Sequence, residues 1–290
     1  GQVTSSTSVT VSVYVEPTPP NVSTLSVGGF DMPGWTVTLT SPSPRQFDLP
    51  GADVGDVELR INGASVPFND GITLAANWNS PATIAAAGSS TDNISQPYAN
   101  ASGNVFVSVL DNSNNNAAGG NPSTSEQTSG VSISFLPYAA GWTGASCNSG
   151  ASIIAGNLPA GTAITKTSTG TYAIDGLATT GTLLAVTNGD AGTLADNVCS
   201  VRIVSGRWVI DTRDNAGGTQ DNEFSFVYIP PSTAGVYAGR VSSTGVVSNT
   251  NASAASIGVT AATGTSGLDI TIGDGSLINP TTAAIFVVAD

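Results

Sequence analysis

Histidine is absent from this 290-residue chain, and lysine and methionine occur once each, as Lys166 and Met32. Charged residues make up only 9% and aromatic residues 6%. These shortages exclude a good deal of chemistry. Ser-His-Asp and Cys-His catalysis need an imidazole base. Histidine zinc sites are excluded, and two cysteines cannot build a four-thiolate site. Arg45, Arg60, Arg202, Arg207, Arg213 and Arg240 are scattered through a chain of net charge −13, so no basic patch for nucleic acid forms. There is no GxxxxGK[ST] phosphate loop, and no apolar run long enough to span a membrane. Carboxylate chemistry is what remains.

Helix-forming Glu, Lys, Gln and Met are scarce, whereas Val, Thr, Ser and Gly abound. That balance favours strands and turns. The expected fold class is all-β: tandem β-sandwich modules, Ig-like or jelly-roll-like, with a free N-terminal strand. Short strand patterns recur between Gly, Asn and Asp turns. They include Trp35 to Leu39, Val57 to Ile61, Asn104 to Leu110, Val131 to Leu136 and Thr171 to Ile174. Further along come Thr182 to Val186, Val201 to Val204, Trp208 to Asp211, Phe224 to Ile229, Asp269 to Ile272 and Ala284 to Val288. Asp111 to Gly130 has no apolar pattern and reads as a surface loop.

The N-terminal segment is the cleanest strand. Val9, Val11, Val13 and Val15 alternate with Thr10, Ser12 and Tyr14, the period-2 pattern of a strand with one buried face. Pro17, Pro19 and Pro20 follow and favour a stiff, extended linker. Three segments then share a shape: VSVYVEP (Val11 to Pro17), VSISFLP (Val131 to Pro137) and FSFVYIP (Phe224 to Pro230). Inside the modules, STGTYAIDG with TGTLLAVT matches TSGLDITIGDG with TAAIFVVA. The repeats divide the chain into a donor-type strand (1–16), a proline linker (17–20), two β-sandwich modules (21–137 and 138–230) and an incomplete β module (231–290). The last one lacks a counterpart of residues 199–230, including the closing strand.

An open module exposes unpaired backbone and apolar surface. A free strand could fill it, and if that strand came from a neighbouring chain the contact would be donor-strand complementation. The assembly residues are then Val9, Val11, Val13, Val15 and Tyr14, and the partners are identical subunits. The strand could equally complete its own chain.

Cys147 and Cys199 are the only cysteines. An even count in a chain of this composition suggests an oxidising compartment and a disulfide closing a loop of about 53 residues, worth roughly 4 kcal/mol. Two buried free thiols are the alternative. Asp211, Asp214, Asp221 and Glu223 cluster around Gly217 and Gly218, in a turn that could wrap Ca²⁺, although the spacing is not that of an EF-hand. No other cofactor is indicated. Asp53, Asp56 and Glu58 form a second acidic group, and Asp190, Asp196 and Asn197 a third. Glycosidase chemistry needs two acids at a set separation beside a sugar cleft. No motif marks such a pair, so no enzymatic activity is expected. Of the tryptophans that could stack on sugars, Trp142 and Trp208 sit at strand starts and read as core. Asn21, Asn93, Asn100 and Asn251 head N-x-[ST] sequons, which makes glycans candidate partners.

FLPYAAGWTG (Phe135 to Gly144) and GRWVIDTRDNAGGTQDNEFSFVYIP (Gly206 to Pro230) resemble modules of large, uncharacterised secreted bacterial surface proteins. GWTVTLTSP followed by DVGDVELRINGASV is similar to segments that precede them. The resemblance implies an extracellular β-module and no catalytic residues. With Gly1 rather than Met at the start, the expected location is extracellular or on the cell surface, after removal of a signal peptide. The expected function is a structural subunit of an extracellular filament or surface assembly, polymerising head-to-tail through its N-terminal strand. The alternative is an adhesin or carbohydrate-binding module, Ca²⁺-dependent or not. A viral capsid or tail-fibre subunit is a third reading.

Overall fold

The computed structural model describes residues 8–14, 23–27, 34–40, 56–61, 64–78, 94–110, 130–189, 197–214, 218–233, 238–241, 246–248, 259–263 and 268–272. The described chain is all-β, with sandwich-like antiparallel sheets and only short 3-10 turns at Phe68–Asp70 and Tyr138–Ala140. Strands β1 (Ser8–Tyr14), β3 (Gly34–Thr40), β4 (Asp56–Ile61), β8 (Val105–Leu110) and β7 (Ile94–Ala99) pair in that order. Strand β5 (Ala64–Ser65) pairs with β4 and completes this first sheet. The second sheet is β2 (Ser23–Val27), β9 (Gly130–Pro137) and β6 (Gly71–Trp78), with β9 in the middle. Leu59, Val66, Phe68, Val105 and Val107 are buried here.

Two four-stranded sheets follow. One runs β11 (Ile153–Asn157), β10 (Thr143–Cys147), β17 (Phe224–Ile229), β14 (Thr182–Thr187). The other runs β12 (Ala163–Ser168), β13 (Thr171–Asp175), β16 (Arg207–Arg213), β15 (Val198–Val204). Between them lies a core of Tyr172, Ile174, Leu183, Trp208, Ile210, Phe224, Phe226 and Tyr228. Tyr172 and Phe224 have ring centroids 4.6 Å apart in a tilted pair. The remaining described strands form two hairpins: β18 (Arg240–Val241) with β19 (Val247–Ser248), and β20 (Val259–Thr263) with β21 (Leu268–Ile272).

Strand β17 is covered on both faces. Side chains alternate along a strand. Phe224, Phe226 and Tyr228 enter the sandwich core, whereas Val227 and Ile229 pack with Ile72, Leu74, Leu136 and Trp142. Strand β14 does the same, with Leu183 and Ala185 on one side and Leu184 and Val186 on the other. A strand buried on both faces reads as a nearly continuous apolar run, and FSFVYI and TLLAVT are such runs. β6 and β9 therefore dock the earlier residues onto the outer face of the later sandwich. Each large apolar side chain fully buried in that seam contributes about 1.5–3 kcal/mol.

Gly144 sets how closely the seam closes. A Cβ at this position would stand 2.2 Å from the Phe226 carbonyl oxygen and 2.4 Å from Ile72 Cδ1. Ile72 thus seats directly over a missing side chain. Gly144→Ala should lower stability by about 2–3 kcal/mol through overpacking, and Ile72→Ala by about 2–5 kcal/mol through loss of a buried side chain. The double variant should cost less than the sum, because losing Ile72 Cδ1 clears part of the collision. Urea unfolding of all three variants checks this, and strict additivity would contradict it.

Candidate functional site

Strand β1 ends the first sheet and pairs antiparallel with β3 of its own chain. Its register sets Val9 opposite Leu39, Val11 opposite Val37 and Val13 opposite Trp35. Thr10 faces Thr38, and Ser12 faces Thr36. This register sets valines opposite apolar positions of β3, and a slip of one residue would set them opposite threonines. β3 continues the pattern into β4, with Leu39 opposite Val57 and Val37 opposite Leu59. Among the described residues β1 pairs with no strand of the third module. Tyr14 is the last residue of β1 and stands opposite Gly34. Val15, Pro17, Pro19 and Pro20 lie outside the described residues, as do Ala284 to Val288, most of Asp111 to Gly130, and Asp190 and Asp196.

The expected disulfide is absent: Cys147 and Cys199 are both free. Topology supplies the reason. Cys147 is on β10, second in its sheet, whereas Cys199 is on β15, the far edge strand of the facing sheet. β14 lies beside β15, which fixes how the layers stack. Two strand spacings of about 4.8 Å and a sheet separation of about 10 Å then separate the cysteine backbones. A disulfide needs Cα atoms roughly 4.4–6.8 Å apart. Both thiols pack on the sandwich core instead. Burial pushes each up to about 12. The compartment argument that rested on their pairing goes with it.

The four acids of the expected calcium turn are dispersed onto local partners. Asp211 is 3% exposed. It accepts hydrogen bonds from Arg202 Nε, from Arg202 Nη2 at 3.2 Å and from the Thr171 hydroxyl at 2.9 Å. Burial opposes its ionisation, but these donors outweigh burial and hold the carboxyl below its ordinary range. Asp221 accepts from Lys166 Nζ and from the Gly170 amide at 2.8 Å, and the Lys166 bond lowers its pKa. Only glycine suits position 170, because its φ is +65° and a Cβ would meet the Thr212 carbonyl oxygen at 2.5 Å. Asp214 closes its own turn by accepting from the Gly218 amide at 2.7 Å. Glu223 lends its backbone carbonyl to the Asn188 amide at 2.9 Å. Among the described residues, no three His, Cys, Asp or Glu side chains gather where a metal ion could be held. Of the second acidic group, Asp56 and Glu58 lie on β4, opposite Thr40 and Thr38.

A polar seam that the sequence reading missed joins β7 to the later sandwich. Gln96 is fully buried and donates from Nε2 to the Thr187 hydroxyl at 3.2 Å and to the Asn197 carbonyl at 2.7 Å. The Gly189 amide donates to the Pro97 carbonyl at 2.9 Å. Beside it, Ser225 Oγ meets Ser146 Oγ at 2.8 Å and donates to Asn188 Oδ1 at 3.0 Å. Buried amides of this kind are held in place by such bonds. A glutamine next to a proline inside a strand was the one available signal. Trp142 and Trp208 are core residues, 8% and 1% exposed, so neither offers a face to a sugar. Arg240 stacks over the Trp208 ring at 5.6 Å and ties residue 240 to the second sandwich. Asn100 caps the exposed β7–β8 turn, accepting from the Ser102 and Asn104 amides at 3.0 and 2.9 Å.

No helix among the described residues is long and apolar enough to cross a membrane. No family model, curated protein or solved structure matches the chain.

Two measurements follow from the thiols and the acids. At pH 8 a thiol with a pKa near 12 is ionised on the order of 10³-fold less than an ordinary one. A thiol reagent should therefore leave the native protein almost unlabelled and titrate two thiols per chain in denaturant; fewer than two would mean a disulfide. Stability should fall at both pH extremes. The folded values of Cys147, Cys199 and Tyr138 are raised to about 12, from 9.0 for the thiols and 10.0 for the phenol. Their contribution is complete below about pH 9 and is lost as pH rises through about 12. Asp211 and Asp221 are lowered, so their contribution is present above the ordinary carboxylate value of 3.8 and is lost as pH falls below it. Urea midpoints against pH should show both limbs, and Asp211→Asn should flatten the acid one.

Proposed function

We propose that this chain is a non-catalytic structural subunit of an extracellular filament or surface assembly, joined head-to-tail through its N-terminal strand. One observation carries the proposal. Among the described residues β1 is a seven-residue strand at a sheet edge that pairs only with β3, and a proline-rich segment follows it in sequence. A strand so attached can leave its own sheet and occupy the same edge of a neighbour, which is the low-cost route to subunit exchange. Such a contact is heterologous and builds an open chain unless the rotation closes a ring.

The titratable groups support a structural role. Among the described residues, burial and hydrogen bonding move the perturbed groups away from neutrality: thiols and tyrosines upward, aspartates downward. General acid–base work at neutral pH needs the opposite tuning. The extracellular setting rests on composition and on the resemblance to secreted surface modules. The acidic balance of seven basic to twenty acidic residues keeps free subunits soluble until they join.

The test is light scattering and negative-stain microscopy of the full chain over a concentration series. Filaments should form, should disappear when residues 1–16 are deleted, and should be capped by excess free peptide of residues 1–16. A chain that stays monomeric at every concentration, with a deletion that merely unfolds it, would sink the proposal. Sugar and calcium binding would then be the next assays.

A further inference from the structure

We infer that the acceptor of the exchanged strand is the β3 edge of a second copy, in the register the chain already uses for itself, and not the incomplete third module. The inference rests on the assembly reading above and names its contact. Complementarity between β1 and β3 is on display within one chain: seven consecutive residue pairs run from Ser8↔Thr40 to Tyr14↔Gly34. In that register Val9, Val11 and Val13 oppose Leu39, Val37 and Trp35, and Ser and Thr oppose Thr on the other face. A slip of one residue would set valines against threonines and turn every side chain to the wrong face. The same alternation that excludes a one-residue slip within the chain excludes it between chains. Among the described residues the strands of the third module pair only with each other, β18 with β19 and β20 with β21.

The connection leaves β1 free to choose. β1 and β3 are not a hairpin, because β2 lies between them in sequence and belongs to another sheet. No tight turn therefore holds β1 on its own β3. Residues 15–22 join β1 to β2, and three of these eight are Pro17, Pro19 and Pro20. Proline favours extended backbone, which suits a strand carried outward more than one folded straight back. A strand tethered through a short connection has an effective concentration on the order of millimolar at most. Exchange therefore competes once subunits are packed to a similar local concentration, as in a surface layer. Charge does not oppose the contact locally: residues 1–15 and the whole of β3 carry no charged side chain in a chain of net charge −13.

The experiment uses full-length chains bearing one new cysteine each, since native Cys147 and Cys199 are core thiols. Thr10→Cys in one chain is mixed with Thr38→Cys in another, the two are refolded together from urea at high concentration, and a short bis-maleimide is added. Ser12→Cys with Thr36→Cys is a second in-register pair should the first fold poorly. Thr10→Cys with Thr260→Cys, on β20, probes the third module. The inference expects covalent heterodimers from both in-register pairs, at least tenfold more abundant than from the Thr260→Cys pair. Replacing Pro17, Pro19 and Pro20 with glycine should lower that yield several-fold. Assemblies that depend on residues 1–16 but give no in-register crosslink would overturn the β3 acceptor and leave the assembly reading standing. Crosslinks formed only within a Thr10→Cys/Thr38→Cys double variant, with no assembly by light scattering, would overturn both.

Discussion

Strand β17, inside the sheet β11-β10-β17-β14, has no face turned to water, and the rest of the molecule is arranged by that fact. A strand with two apolar faces must be covered twice. The β12-β13-β16-β15 sheet covers one side, over the Phe224, Phe226 and Tyr228 row, and β6 and β9 cover the other, over Val227 and Ile229. The two-sided β17 therefore joins β6 and β9 to the later sandwich. Close approach on the second side depends on a residue with no side chain, Gly144, beneath Ile72. At the margin of the same seam apolar packing gives way to amides, where Gln96 reaches Thr187 and Asn197. Dispersion and burial favour contact without fixing alignment, whereas the buried hydrogen bonds accept only one alignment.

Electrostatics plays a quieter part. Few charges exist, and the acids on the second sandwich are used to fasten loops. Asp221 draws the strand after the 214–218 turn to Lys166 and Gly170, and Asp211 holds Arg202 across β16 and β15. Arg202 is about half-exposed and Lys166 a third exposed, so these pairs contribute modestly to stability. Their more specific effect is to order the end of the sandwich that the sequence offers as a calcium turn. An acid already accepting two or three donors has little capacity left for a cation. Asp211 and Asp221 thus spend much of their accepting capacity on local donors.

Legibility followed apolar contrast. β13, β14, β16 and β17 stand out in the sequence because each must face a core. The all-β class and the sandwich character were legible for the same reason. β7, β10, β11 and β12 were not legible, and each has its own cause. β7 carries Gln96 and Pro97, which mimic a turn but serve a polar seam. β10, TGASC, is made of small residues because Ile72 presses on it. β11 and β12 are sheet edges with little buried surface and hence no alternation to read. The cysteines show the complementary limit. Their even count suggested a compartment, but pairing is decided by strand order, and strand order set them on laterally separated strands of facing sheets. β1 was legible as a strand, whereas its partner was not, since many strands offer an apolar row of the same period.

Edge strands show where the fold guards itself and where it does not. Exposed edges invite pairing with other chains, and proteins blunt them with charge, proline or cover. β7, at one edge of the first sheet, contains Pro97; β12 carries Lys166, and β15 carries Arg202. β14 is covered by its contacts with β15 and with β6 and β7. In the sheets of three or more described strands, β1, β2 and β11 have none of these guards, and β2 is only five residues long. β11 has Ile153 and Ile154 about half-exposed within a charge-free stretch, but it is five residues long and flanked by the Phe68–Asp70 turn, which shortens what a new strand could use. β1 is longer, wholly uncharged and already matched residue by residue to β3. Guards on three edges and cover on a fourth argue that the molecule has been kept from sticking at random. On the proposed assembly reading, an unguarded strand that ends a sheet and pairs with β3 along its whole length is where contact between copies would form.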